Sequence, residues 1–176
     1  MTQEHKDIEL LAEQCARKYH SGQFREYSNL LAITHPEAVV GILKRHGFYE
    51  KETLAMGWLH DVLEDTSAKV EELNFLFGEK VAEGVYLLTR NVDREEYKQR
   101  LSLSPLEVQL VKLADTLHNV STLEQLKPRG IKRKIDDCQE FYLPLAKIIC
   151  PEMGKEISGF LNEYNKKQGG NVYGYY

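Results

Sequence analysis

Three stretches of this 176-residue sequence carry side chains whose types and spacing could do chemistry. The segment His60-Asp61-Val62-Leu63-Glu64-Asp65-Thr66 closes an apolar run with four ionisable groups in six residues. On a helix, residues four apart share an edge, so His60 would align with Glu64 and Asp61 with Asp65. An unpaired buried charge costs several kcal/mol, so this concentration demands partners or a ligand. Upstream, His35 stands in Thr34-His35-Pro36 at a helix start. Downstream, Asp115 and Asn119 lie four apart in VKLADTLHN, beside the apolar stripe of their own helix. Taken singly, His60 reads as a helix-end histidine paired to a neighbour, His35 as a capping residue and Asp115 as a structural ion pair. Taken together, three helices each offer metal-type ligands. Two imidazoles and two carboxylates without a thiolate suit a borderline-to-hard divalent ion such as Mn²⁺, Fe²⁺ or Zn²⁺.

The elements that must position these groups read as helices throughout. Ile8, Leu11, Ala12, Cys15, Ala16 and Tyr19 form one stripe, and that helix is expected to end near Ser21-Gly22. QFREYSNLLAI has no clear period, and Pro36 then fits the first position of a helix running to about residue 46. Thr53 to Leu63 is apolar almost all round, which predicts a helix buried at the centre of the domain. Val70, Leu73 and Phe77, then Val81, Val85 and Leu88 beyond a turn at Gly78, mark two more helices. The polar stretch RNVDREEYKQR reads as a connection. Ser104-Pro105 opens a helix lined by Leu110, Leu113, Ala114 and Leu117, and Ile135, Cys138, Tyr142, Leu145 and Ile149 form a long stripe. Pro151 begins a last helix carrying Ile157, Leu161 and Tyr164. No alternating strand pattern appears, so an all-α single domain is expected over residues 1–164, followed by a Gly- and Tyr-rich tail over 165–176.

The order His35, His60-Asp61, Asp115 resembles the HD phosphohydrolase superfamily, in which these ligands bind a divalent metal between central helices of a bundle. HSGQFR, THP, WLHDVLEDT, FGEKVAEGV, VKLADTLHN and FYLPLAK follow one another as in the hydrolase domain of the RelA/SpoT family and its stand-alone forms, the small alarmone hydrolases. The likeness covers about residues 12 to 150. It implies manganese-dependent removal of the 3′-pyrophosphate of guanosine tetra- and pentaphosphate. It also implies that His35, His60, Asp61 and Asp115 hold the metal and that Glu64 and Asp65 are the catalytic carboxylates. Arg25 would grip a substrate phosphate, and Asn119 would contact the ribose region. Thr122 falls where longer members have a substrate-side threonine, with Ser121 in place of the usual arginine before it. Between Arg25 and His35 the family's basic run is replaced by EYSNLLAIT, with Glu26 where lysine is frequent.

Composition narrows the alternatives. Twenty-three Lys and Arg against 27 Asp and Glu give a net charge of −4, which argues against nucleic acid as partner. A phosphorylated nucleotide must then meet local positive charge, for which Arg25, Lys18 and Lys112 are the candidates. Three cysteines without a CxxC pair exclude a thiolate zinc site and a disulfide framework. The charged N-terminus lacks a signal-peptide core and no apolar run approaches membrane-helix length, so no membrane partner and a cytoplasmic location are expected. The length leaves no room for the synthetase and regulatory domains of long RelA/SpoT proteins, and the reading accommodates a homo-oligomer. Two other functions compete: an HD phosphohydrolase acting on another nucleotide or on NADPH, and a catalytically silent domain that binds an alarmone.

Overall fold

The computed structural model describes residues 7–25, 28–125 and 128–168. Glu26 and most of the expected tail lie outside the described residues. Helices dominate: α1 (Ile8–Tyr19), α2 (Thr34–Arg45), α3 (Lys51–Leu59), α4 (Val62–Asp65), α5 (Val70–Phe77) and α6 (Glu79–Leu88) come first. They are followed by α7 (Arg94–Ser102), α8 (Leu106–Ser121), α9 (Pro128–Asp137), α10 (Leu143–Ile149) and α11 (Pro151–Lys167). Extended pairing among the described residues is confined to one isolated bridge between Phe24 and Leu31. The all-α expectation holds, and no described helix is long and apolar enough to cross a membrane.

The apolar run at the centre of the sequence becomes the centre of the fold. Every residue of α3 from Thr53 to Leu59 is buried, and the helix packs against α1, α2, α6 and α8. Gly57 makes the α2 crossing close, because a Cβ there would stand 3.0 Å from Val40 Cγ2 and 3.1 Å from Leu43 Cδ1. The second long core helix, α8, is buried at Val108, Leu110, Val111, Leu113, Ala114 and Leu117 and packs on α2, α3, α6 and α11. The helices bearing His35, His60 and Asp115 are therefore mutual neighbours.

Four local expectations are corrected. The helix expected over Thr53–Leu63 stops at Leu59, and α4 restarts at Val62. His60 and Asp61 sit in that break, so an unbroken helical edge does not join His60 to Glu64. The buried His60 ring donates Nδ1–H back to the Gly57 carbonyl at 2.8 Å, a local bond that competes with the helix ladder. Pro36 occupies the third helical position of α2, where a missing N–H is still tolerated because the first-turn donors have no intrahelical partner. The supposed connection RNVDREEYKQR contains α7, whose cap is Asp93: its carboxylate accepts from the Glu95 and Glu96 amides at 3.0 and 3.1 Å. Tyr97, Lys98 and Leu101 are its buried residues.

The long stripe ending at Ile149 is not one regular helix. Between α9 and α10 the chain widens into a π-helical segment, Cys138–Tyr142, closed by the Leu143 N–H on the Cys138 carbonyl. Pro144 has no N–H to offer residue 140 and its ring would crowd that carbonyl, and the wider turn absorbs both. The last helix continues through Lys167, three residues beyond the expected domain boundary at 164.

Candidate metal centre and cationic cleft

α2 contributes His35 in its first turn, the α3–α4 break contributes His60 and Asp61, and the middle of α8 contributes Asp115. Ligand atoms of His35, His60 and Asp115 all lie within 4.8 Å of one another, the spacing of a group that could hold a metal ion. His35 Nε2 is 3.2 Å from His60 Nε2 and 3.0 Å from Asp115 Oδ1. Asp61 Oδ2 closes the side of this group, 3.1 Å from His60 Nε2 and 3.5 Å from His35 Nε2. The structure thus brings together all four residues that the sequence offered as ligands.

Each donor is aimed by a second contact. With its Nδ1–H held by the Gly57 carbonyl, His60 presents Nε2 to the cluster. Asp115 receives Asn119 Nδ2 on Oδ1 and Lys112 Nζ on Oδ2, the latter at 2.8 Å. Burial disfavours the Asp115 carboxylate, but Lys112, His35 and His60 outweigh it and hold the group well below the usual carboxylate range. Burial likewise disfavours charge on Asp61, yet the neighbouring His60 and His35 bring it to about 2. Burial opposes a proton on His60, whereas Asp61 and Asp115 raise it to about 9. A pocket that holds a proton so firmly has a field suited to a cation, and its donor set of imidazole nitrogen and carboxylate oxygen fits a divalent metal.

Beside this cluster opens a cleft of about 310 Å³, the size of a small-molecule site. His35, Asp61, Glu64 and Asp115 line it together with cationic and aromatic side chains. Lys112, Arg133, Lys134 and Arg90 provide the charge, Tyr97 and Tyr142 the aromatic faces. Lys112 Nζ lies 5.6 Å from the Tyr97 ring centre and 5.8 Å from that of Tyr142. Burial works against the Lys112 ammonium, but Asp115 and the two tyrosines keep it well above its ordinary value. Lys134 donates to Asn119 Oδ1 at 3.3 Å, and burial pushes its ammonium below the ordinary lysine range.

The other expected site residues divide. Glu64 lines the cleft and its Oε2 accepts from the Arg90 amide at 3.0 Å. Asp65 is not among the described residues lining the cleft; burial, then Asp61 and Glu64, raise its carboxyl pKa, and its backbone carbonyl accepts Gln23 Nε2 at 3.1 Å. Arg25 is not among the described residues lining the cleft; it is half-buried with Nη1 3.5 Å from His118 Nε2, and burial lowers its pKa while Asp115 and Asp61 oppose that. Asn119 lines the cleft through its ties to Asp115 and Lys134. Lys18 is exposed on α1, and the structure does not bring it to the cleft. Nor does it bring Thr122, whose hydroxyl donates to the His118 carbonyl at 3.1 Å while the residue caps α8.

Sequence spacing did not point to Arg133, Lys134, Tyr97, Tyr142 or His118. The first two lie where only the apolar stripe of Ile135 and Cys138 was read, Tyr142 was taken as part of that stripe, and Tyr97 fell in the stretch taken as a polar connection. His118 had a visible signal: it follows Asp115 by three residues and so shares its helix face. Its ring lies edge to edge with that of His35, with centroids 4.8 Å apart and planes 26° from parallel.

Comparison with known proteins agrees with this geometry. The family model described as the HD domain matches residues 12–148. The bifunctional (p)ppGpp synthase/hydrolase SpoT of Escherichia coli K12 is 38% identical over 143 residues, covering 74% of this chain and 20% of that protein. The guanosine-3′,5′-bis(diphosphate) 3′-pyrophosphohydrolase of Spiroplasma citri is 33% identical over 196 aligned positions, covering 95% of this chain and 26% of that protein. The chain therefore spans only a fifth to about a quarter of the length of these relatives. Among solved structures, a metazoan ortholog of SpoT that hydrolyses ppGpp superimposes with a TM-score of 0.67 at 23% identity, over 96% of this chain and 99% of that one, a likeness of fold.

Proposed function

We propose that this chain, which belongs to the HD-domain family, is a metal-dependent pyrophosphohydrolase that removes the 3′-pyrophosphate of ppGpp and pppGpp. The observation that carries the reading is one cleft that gathers Lys112, Arg133 and Lys134 beside the cluster of His35, His60, Asp61 and Asp115. Relatives named for this same activity support it. Mn²⁺ is the ion proposed, with Fe²⁺ or Zn²⁺ compatible with the same donors. Cytoplasmic residence belongs to the same reading.

A divalent ion held by the four ligands supplies charge for the phosphoryl oxygens and acidifies water. The chain's own groups do the rest. Glu64, on the wall beside Asp61, takes the proton of the attacking water. Water adds to the phosphorus bound to the 3′ oxygen, the bond from that phosphorus to the 3′ oxygen breaks, and pyrophosphate leaves. Asp65, next to Glu64 in the same motif, is assigned to the departing 3′ oxygen, whose protonation releases GDP or GTP with a free 3′ hydroxyl. Arg25 and the cationic wall bind the remaining phosphates. Lys112 acts through Asp115, compensating its charge, and Asn119 orients that same carboxylate while facing the ribose side.

Incubating the protein with Mn²⁺ and a panel of ppGpp, GTP, dGTP and NADPH, followed by chromatography, tests the assignment. Pyrophosphate together with GDP from ppGpp alone is the expected outcome. Orthophosphate from NADPH or dGTP at comparable rates would replace the substrate class while keeping an HD phosphohydrolase. Tight ppGpp binding without turnover in any metal would identify a silent binding domain.

A further inference from the structure

His35 Nδ1 lies 2.6 Å from His118 Nδ1, and one of these two nitrogens must carry the proton between them. If His118 donates, neutral His35 keeps its own proton on Nε2, the atom that faces His60, Asp61 and Asp115. That arrangement leaves His35 no lone pair for a cation. If His35 donates, its Nε2 lone pair is free. His60 meets the same requirement through the Gly57 carbonyl, an acceptor that admits only one choice. His118 is an imidazole and admits either. Arg25 Nη1 stands 3.5 Å from His118 Nε2, and a guanidinium donates only, so without a cation it favours the unproductive choice. Loading the cation must then reverse both imidazoles together.

We infer that His118 is a positioning residue that accepts the Nδ1 proton of His35 and thereby fixes the tautomer and ring orientation with which His35 binds the metal. Groups behind a metal-bound histidine commonly do this, and their loss weakens metal binding about 10- to 100-fold. The near-coplanar arrangement suits such an in-plane hydrogen bond, since the rings lie 26° from parallel with centroids 4.8 Å apart. The inference rests on the proposed metal site, and its test separates the two.

Mn²⁺ affinity of the full chain, measured by competition with a chelator, is compared among wild type, His118→Asn and His118→Phe. The Asn Oδ1 replaces the His Nδ1 acceptor at nearly the same place, whereas Phe keeps a flat ring and removes the acceptor. His118→Phe is expected to bind Mn²⁺ about 10- to 100-fold more weakly, and His118→Asn within about 3-fold of wild type. Equal affinity for wild type and His118→Phe, or equal loss in both variants, overturns the role. Wild type that binds no Mn²⁺ overturns the metal reading itself. Should either variant fold poorly, ¹⁵N NMR of the wild-type histidines with diamagnetic Zn²⁺ decides. The Zn²⁺ form should show His35 protonated on Nδ1 and His118 on Nε2 alone, and a proton on His118 Nδ1 contradicts the inference.

Discussion

At the scale of single residues, the cleft assigns different jobs to groups of the same type. Glu64 is exposed and reaches the Arg90 amide rather than the ligand cluster, so Glu64→Gln should lower turnover by about 10²-fold or more with bound metal unchanged. Metal analysis beside a kinetic assay checks this, and joint loss of metal and activity would make Glu64 a ligand. Lys112 is tied to Asp115 and flanked by two tyrosines, which makes it a charge compensator more than a free hand for phosphate. Lys112→Met should therefore destabilise the metal-free protein by about 3 kcal/mol, because it leaves a buried carboxylate uncompensated. Added Mn²⁺ should recover most of that loss in a thermal unfolding assay. Equal stability with and without the substitution would return Lys112 to the substrate-binding role that sequence alone suggests. Metal-type side chains on three predicted helices were legible in the sequence, and the choice of His35, His60, Asp61 and Asp115 among them came from the family resemblance. Their aiming contacts were not, since Gly57 acts through a backbone carbonyl and Lys134 lies fifteen residues beyond Asn119.

At the scale of elements, α7 and the π-helical segment decide what faces the metal. α7 delivers Tyr97, whose hydroxyl donates to the Leu88 carbonyl at 2.8 Å. Along the same side of α7, Lys98 and Arg94 both pair with Asp137, Lys98 at 3.2 Å, which clasps the end of α9 just before the π turn. Tyr142 reaches the cleft from the end of that turn. Asp93 holds the first turn of α7, so Asp93→Ala should cost about 1 kcal/mol in urea unfolding. An unchanged midpoint would mean the cap is not formed. The sequence disguised α7 because seven of its nine residues are polar or charged, which mimics a solvated loop. Its cap was visible but its buried apolar pair, Tyr97 and Leu101, is too sparse to show a period. The break at His60-Asp61 was hidden for the opposite reason: apolar residues continue on both sides of it, so hydrophobic pattern alone runs the helix through.

At the scale of the whole molecule, an overall negative chain of net charge −4 presents a local cationic wall, the charge that the polyphosphate substrate proposed above would need. The same core that positions this wall buries groups whose ionisation opposes folding. Burial pushes the Cys138 thiol up to about 12 from 9.0. Burial also raises the Tyr142 hydroxyl to about 12 from 10.0, with Lys112 opposing. Above the ordinary values of these groups the unfolded chain releases protons that the folded chain keeps. Stability must then fall as pH rises between 9.0 and about 12. Urea midpoints at about pH 8 and about pH 10.5 should show the decrease, and a midpoint that is flat or rises would contradict the burial of both groups. The all-helical architecture was readable because stripes at helical spacing recur along nearly the whole sequence, whereas the pairing of distant walls across the cleft depends on packing that no local pattern records.

The most direct test of the central claim follows the reaction itself by ³¹P NMR, with Mn²⁺ removed by a chelator before each spectrum and ppGpp as substrate. The metal-loaded protein should abolish the 3′-diphosphate resonances, leave the 5′-diphosphate intact and produce free pyrophosphate, while Asp61→Ala should leave the spectrum unchanged. Orthophosphate as the product, or an unaltered ppGpp spectrum with metal-loaded wild type, would contradict a metal-dependent 3′-pyrophosphohydrolase.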